Sequence, residues 1–252
     1  MTLADEYRNQ TRWREWLRLF EMLPSVDGST VLDLGCAVGD QAVELVARGA
    51  RVIGIDANEA LLEVARARGL RDAEFRREDL RALAPSAAEV DGIWCSFAAA
   101  YFPRLGEVLR SWQKLLKPGG WIMLTEVDDL FGHEPLDVEV KAILRAYGEA
   151  AIAANRHDFQ MGRKLRGHLE DAGFSVTTSR TLGDKELSFD GPADSDVLEA
   201  WAARLERMKT LRDFCGADFE RVREQLLGAL AHREHHSTAS VRCCVATRSG
   251  RG

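Results

Sequence analysis

Two stretches of this 252-residue chain carry residues spaced for ligand chemistry. The first is Val31-Leu32-Asp33-Leu34-Gly35-Cys36-Ala37-Val38-Gly39-Asp40, an apolar run entering a Gly-x-x-x-Gly turn. Glycines at such a turn let the backbone approach a ligand closely. The second is Val52-Ile53-Gly54-Ile55-Asp56, a strand ending in an acid 23 positions beyond Asp33. That is near the spacing at which a carboxylate meets ribose hydroxyls. The turn lacks one glycine of the Gly-x-Gly-x-x-Gly pattern that admits a pyrophosphate, and Asp33 and Asp40 would repel one. The same two acids suit a ligand bearing an ammonium or sulfonium.

The elements that must position these residues alternate between strand and helix from residue 30 to about 181, which implies a parallel sheet covered on both faces. Strands are predicted at 30–34, 51–56, 74–77, 90–96 and 121–127, with helices at 41–47, 59–68 and 105–116. Asn58 is placed to cap the second of these helices. Helices 136–155 and 161–172 and a strand at 174–182 follow. Two amphipathic helices, 197–214 and 219–232, then interrupt the rhythm before a last strand at 239–247. Upstream, Trp13, Trp16, Leu17, Phe20 and Leu23 fall at helical spacing and predict one helix stopped by Pro24. The chain thus divides into an N-terminal helical segment (1–29), a sheet core (30–189 with 238–252) and an inserted helical cap (190–237).

Bulk properties narrow the function. Hydrophobic residues make up 46% and charged residues 29%, an ordinary globular balance. A net charge of -6 argues against nucleic acid as the main partner. The N-terminal residues form no apolar signal core, and no stretch approaches membrane-spanning length, so a cytoplasmic location with no membrane partner is expected. The five cysteines lack metal-ligand spacing and read as reduced thiols. Cys243 and Cys244, adjacent on a strand, should face opposite sides of the sheet.

Four stretches in order, VLDLGCAVGD, VIGIDAN, FRREDL, and DGIWCSF followed by LKPGGWIMLTEVDD, resemble the class I S-adenosylmethionine-dependent methyltransferases, in particular those acting on quinones and small natural products. The resemblance covers residues 7 to 182 and the closing strand. It implies an α/β, Rossmann-like, seven-stranded sheet, mostly parallel with helices on both faces, whose last strand is antiparallel. It further implies S-adenosylmethionine as cofactor and S-adenosylhomocysteine as product. By the same resemblance Gly35, Cys36 and Gly39 would line the methionine moiety and Asp33 would fix its ammonium. Asp56 would accept the ribose hydroxyls, Ala57 and Asn58 would flank the adenine, Asp79 and Leu80 would read its edge, and Ser96 and Phe97 would close the methionine side. The plainer alternatives are a turn-stabilising carboxylate for Asp33 and a helix cap for Asn58.

A sulfonium-activated methyl group needs alignment and exclusion of water more than a metal or a covalent intermediate. Glu126, Asp128 and Asp129 follow strand five, but the end of strand four offers no carboxylate, so no metal site is expected. Tyr7, Trp13, Tyr101, Phe102 and Phe159 are the candidate wall of a pocket for a flat acceptor. If the acceptor sheds a proton, His157 is the first candidate base and His133 the second. A small-molecule methyltransferase is the leading reading. A non-catalytic cofactor-binding protein and a nucleotide-dependent oxidoreductase are the alternatives, and oligomeric state is not legible.

Overall fold

Alternation of side chains along the strands decides which helices cover which face of the sheet. The computed structural model describes residues 3–83 and 89–249, so the outermost residues of the N-terminal segment and of the core lie outside the described residues. Two short helices open the chain, α1 (Leu3–Thr11) and α2 (Trp16–Glu21). The repeating part is β1 (Thr30–Leu34), α3 (Asp40–Ala47), β2 (Arg51–Asp56), α4 (Glu59–Arg66), β3 (Ala73–Arg77), β4 (Val90–Ser96), α5 (Leu105–Gln113) and β5 (Leu116–Asp128). There follow β6 (His133–Glu134), α6 (Val138–Ala153), α7 (Met161–Asp171), β7 (Phe174–Leu182), α8 (Ser195–Arg207), α9 (Lys209–Cys215), α10 (Phe219–Ala231), β8 (His236–Ser237) and β9 (Ser240–Arg248).

Seven strands form one sheet in the order β3-β2-β1-β4-β5-β9-β7. β9 runs antiparallel to both of its neighbours, and the remaining neighbouring pairs are parallel. Val31, Trp94, Met123 and Cys243 bury one face against α2, α6 and α8–α10. Leu32, Ile93, Leu124 and Cys244 bury the other against α5 and α7. Cys243 and Cys244 therefore sit on opposite faces, as residues one apart on a strand must, and all five cysteines are free.

Two local expectations fail for identifiable reasons. Of the helix-spaced set from Trp13 to Leu23 only Trp16–Glu21 is helical: Trp13 lies in the turn after α1, where its carbonyl accepts from Lys185 N and Arg14 pairs with Asp184 and Glu186. Leu17 is consequently 68% exposed. The helix expected over 197–214 breaks at Met208, whose ψ of 64° lies outside the helical region. β6 and β8 form a separate two-stranded antiparallel ladder, too short to give a periodic sequence signal.

Candidate functional site

β1 ends at a turn whose geometry only small residues allow. Gly35 has φ of 77°, and a Cβ there would come within 2.6 Å of Ala98 Cβ. Its N–H and that of Cys36 donate to the Ile55 carbonyl at 2.8 and 3.1 Å, locking the turn to the end of β2. Gly39, φ 75°, is the N-cap of α3, and its Cα faces the Phe75 ring. Asp56, the last residue of β2, accepts from Ala37 N at 3.0 Å through Oδ2 and from Asn58 N at 2.8 Å through Oδ1. Asn58 caps α4, its Oδ1 accepting from Ala60 N at 3.1 Å.

These elements enclose a cavity of about 660 Å³. Of the residues expected to hold the cofactor, Gly35, Cys36, Asp56, Ala57, Asn58, Asp79, Leu80, Ser96 and Phe97 line it. Gly39 does not, because its conformation serves the helix start instead. Asp33 lies behind the lining, buried, with Oδ2 lacking a hydrogen-bond partner. Burial, and then the charges of Asp56 and Asp40, push its carboxyl up to about 8. Asp79 is held below the usual carboxylate range by its hydrogen bond from Arg81. Orphaned acceptors at Asp33 Oδ2 and Ser96 Oγ, acids at two strand ends and a close-approach glycine fit a nucleoside carrying a cationic group.

A second cavity of about 500 Å³ adjoins the first and shares with it Tyr7, Gln10, Arg14, Phe97, Tyr101 and Arg156. Phe97, between them, adopts φ of 56°, a left-handed conformation costly for an aromatic residue and concentrated at functional sites. Tyr101 is 59% exposed and meets His157 edge-on at 4.8 Å. His157 and Phe159 line the second cavity, and Phe102 lines the first. His157 Nδ1 is buried without a partner, and burial lowers its pKa to about 4.

Two candidates stand apart from both cavities. His133 is buried against Trp201 and Phe189, its Nδ1 3.0 Å from His235 Nε2, and burial takes it down to about 3. It sits on β6 against Trp201 of α8 and lines neither cavity. Trp13 lines neither cavity because the chain turns at Arg14.

Glu126, expected only as an acid after strand five, completes the second wall together with Tyr147, Arg204 and Arg207, which carry no local sequence signal. Glu126 is fully enclosed. Its Oε1 accepts from Ala100 N at 2.9 Å, yet burial outweighs that bond and raises the carboxyl to about 7. The neighbouring acids are engaged separately, Asp128 with Arg163 at 2.6 Å and Asp129 with Thr238 at 3.1 Å. No group of three or more His, Cys, Asp or Glu suited to a metal occurs among the described residues. Nor is any described helix long and apolar enough to cross a membrane.

Residues 31–120, from β1 into β5, match a methyltransferase domain family. The chain is similar to the ubiquinone biosynthesis O-methyltransferase of Stutzerimonas stutzeri, 30% identical over 60% of this chain and 67% of that protein. It is also 38% identical to the trans-aconitate 2-methyltransferase of Azoarcus sp., over 48% of this chain and 46% of that one. The chain spans about half the length of most of the curated relatives it matches. In fold it resembles a chain from the complex of the Haloferax volcanii Trm112 methyltransferase activator with a methyltransferase. The TM-score is 0.63, identity 18%, and coverage 99% of this chain and 94% of that one. The protein belongs to the class I S-adenosylmethionine-dependent methyltransferases, whose sheet order and glycine turn it shares.

Proposed function

We propose that the protein transfers the methyl group of S-adenosylmethionine to an O, N or C atom of a small organic acceptor held in the second cavity. The observation carrying this reading is the shared wall. The cavity that Asp56 and Gly35 equip for the cofactor opens beside a second chamber across Phe97, Tyr7 and Tyr101. The relatives are named for small acceptors, trans-aconitate and a step of ubiquinone biosynthesis, which supports the same class.

S-adenosylmethionine supplies a methyl group already activated by its sulfonium. The protein's own part is then to position and to dry the site. Asp56 would hold the ribose, Asp33 and Ser96 would meet the polar groups of the methionine end, and Asp79 would meet the adenine. Tyr7, Phe97 and Tyr101 would align the acceptor from one side, Tyr147 and Phe159 from the other. Where the acceptor sheds a proton, His157 and Glu126 face it. Glu126 titrates nearer neutrality, where a general base is most effective. The segment 190–237 would act as the cap through α8 and α9, since Arg204, Arg207, Met208 and Thr210 line the second cavity. Free cysteines accord with a cytoplasmic setting.

Incubation of methyl-labelled S-adenosylmethionine with fractionated small metabolites tests the proposal. Label should pass to a low-molecular-weight product, and Asp56→Ala should abolish the transfer at low donor concentration. A folded protein that binds the donor but labels nothing in any fraction would instead be a cofactor-binding protein.

A further inference from the structure

One buried carboxylate gathers the polar side of the second cavity. Glu186, in the segment between β7 and α8, is fully buried. It accepts from Gln10 Nε2 at 3.1 Å, from Arg14 Nη2 at 3.0 Å and from Arg204 Nη2. Asp184 shapes this segment, its Oδ1 accepting the N–H groups of Glu186 and Leu187 at 2.9 Å each. Two arginines from separate elements, the α1–α2 connection and α8, thus converge on one acid. The side chain of Arg14 is only 8% exposed and that of Arg204 23%.

In both arginines the Nε–H is buried and has no hydrogen-bond partner. The nearest acid to Arg14 Nε, Asp184 Oδ2, is 3.5 Å away and is itself without a hydrogen bond. A network that existed only to tie α1 to α8 would satisfy these donors, since a buried unpaired N–H costs free energy. Arg14 and Arg204 both line the second cavity.

Charge and shape narrow what would complete them. Arg14, Arg156, Arg204 and Arg207 line this cavity against Glu6 and Glu126, with Asp184 and Glu186 behind the wall. Apart from Gln10, His157 and Thr210, the remaining wall is apolar or aromatic, including Phe97, Leu130, Tyr147 and Phe159, which suits a ligand with a flat or apolar body. Planar guanidinium donors match a carboxylate geometrically.

We propose that the methyl acceptor bears a carboxylate that docks on Arg204 and Arg14, with Glu186 as the positioning residue that aims both guanidinium groups. This rests on the methyl-transfer reading and specifies its substrate class.

The test is calorimetric titration of the protein saturated with S-adenosylhomocysteine. The probes are 4-hydroxybenzoate, 3,4-dihydroxybenzoate and trans-aconitate, each beside its neutral amide. At least one acid should bind, on the order of 10–100-fold more tightly than its amide. Arg204→Gln, which touches only the second cavity, should erase that preference while S-adenosylhomocysteine affinity is retained. Glu186→Gln should reduce the preference, and Arg204→Lys should restore part of it. Amides binding as tightly as acids, or no acid binding at all to protein that holds S-adenosylhomocysteine, overturns the carboxylate assignment and leaves methyl transfer standing. Failure to bind S-adenosylhomocysteine would refute the methyl-transfer reading instead. The comparison of acid with amide in the unaltered protein decides the matter even if a variant fails to fold.

Discussion

Asp56 and Ala37 are joined by a 3.0 Å hydrogen bond in which the carboxylate closing β2 accepts an N–H of the glycine turn that closes β1. The acid therefore shapes the turn and still presents lone pairs to the cavity. Asp56→Ala should weaken S-adenosylmethionine and S-adenosylhomocysteine alike, by roughly 1.5–3 kcal/mol for each charge-assisted hydrogen bond lost. Titration calorimetry on folded variant protein checks this. Unchanged dissociation constants would remove Asp56 from the site.

Asp33 should make cofactor binding proton-linked. Its carboxyl, pushed up to about 8 by burial and by Asp56 and Asp40, is protonated at neutrality in the free protein. A docking ammonium would drive that proton off, so binding at pH 7 should release protons and strengthen as pH rises toward 8. The same raised value means that the folded state holds the extra proton. Its stabilising contribution is complete below the ordinary carboxylate value and is lost as pH rises through about 8. Asp33→Asn should therefore lose less stability than wild type between pH 7 and pH 9. Calorimetry in buffers of different ionisation enthalpy measures the released proton, and an identical apparent enthalpy in all of them would count against the linkage.

Proton removal from the acceptor, where the chemistry needs it, should follow Glu126. The rate should then show an acidic limb near pH 7 that Glu126→Gln removes, with a loss on the order of 10²–10⁴-fold. If His157 were the base, the limb would lie near pH 4 and vanish in His157→Gln. A pH–rate profile of the two variants separates these outcomes.

Much of this architecture was legible in the sequence because its signals are local. β1, β2, β4 and β7 begin and end at the residues expected for them. The glycine turn and the acid of Asp56 announce the cofactor side, since strand, turn and acid are contiguous in the chain. The acceptor side was not legible. Arg14, Glu126, Glu186 and Arg204 are far apart in sequence and meet only through tertiary packing, and Arg14 hides in what looks like an uninterrupted helical stripe. His133 misled because its position after strand five indicates which end of the sheet it occupies, not whether it faces the cavity or the cap.

The His133–His235 pair should make the contact between β6 and the 190–237 segment acid-sensitive. His133 is held near 3 by burial, so the fold favours its neutral form, and stability is lost as pH falls from the ordinary histidine value toward 3. Between pH 6.5 and pH 5 the loss should be about 2 kcal/mol at most. Denaturant unfolding at the two pH values should show this loss in wild type and a smaller one in His133→Gln. Equal pH dependence in both would place the acid sensitivity elsewhere.

The central claim is that the two adjoining cavities are donor and acceptor chambers across one wall. A crystal structure of the complex with S-adenosylhomocysteine tests it most directly. The account predicts the ribose on Asp56, the adenine beside Asp79 and Leu80, and the sulfur at the Phe97–Tyr101 boundary, facing the cavity that Arg204 and Glu126 line. A ligand bound elsewhere, or a sulfur turned away from that cavity, would contradict it.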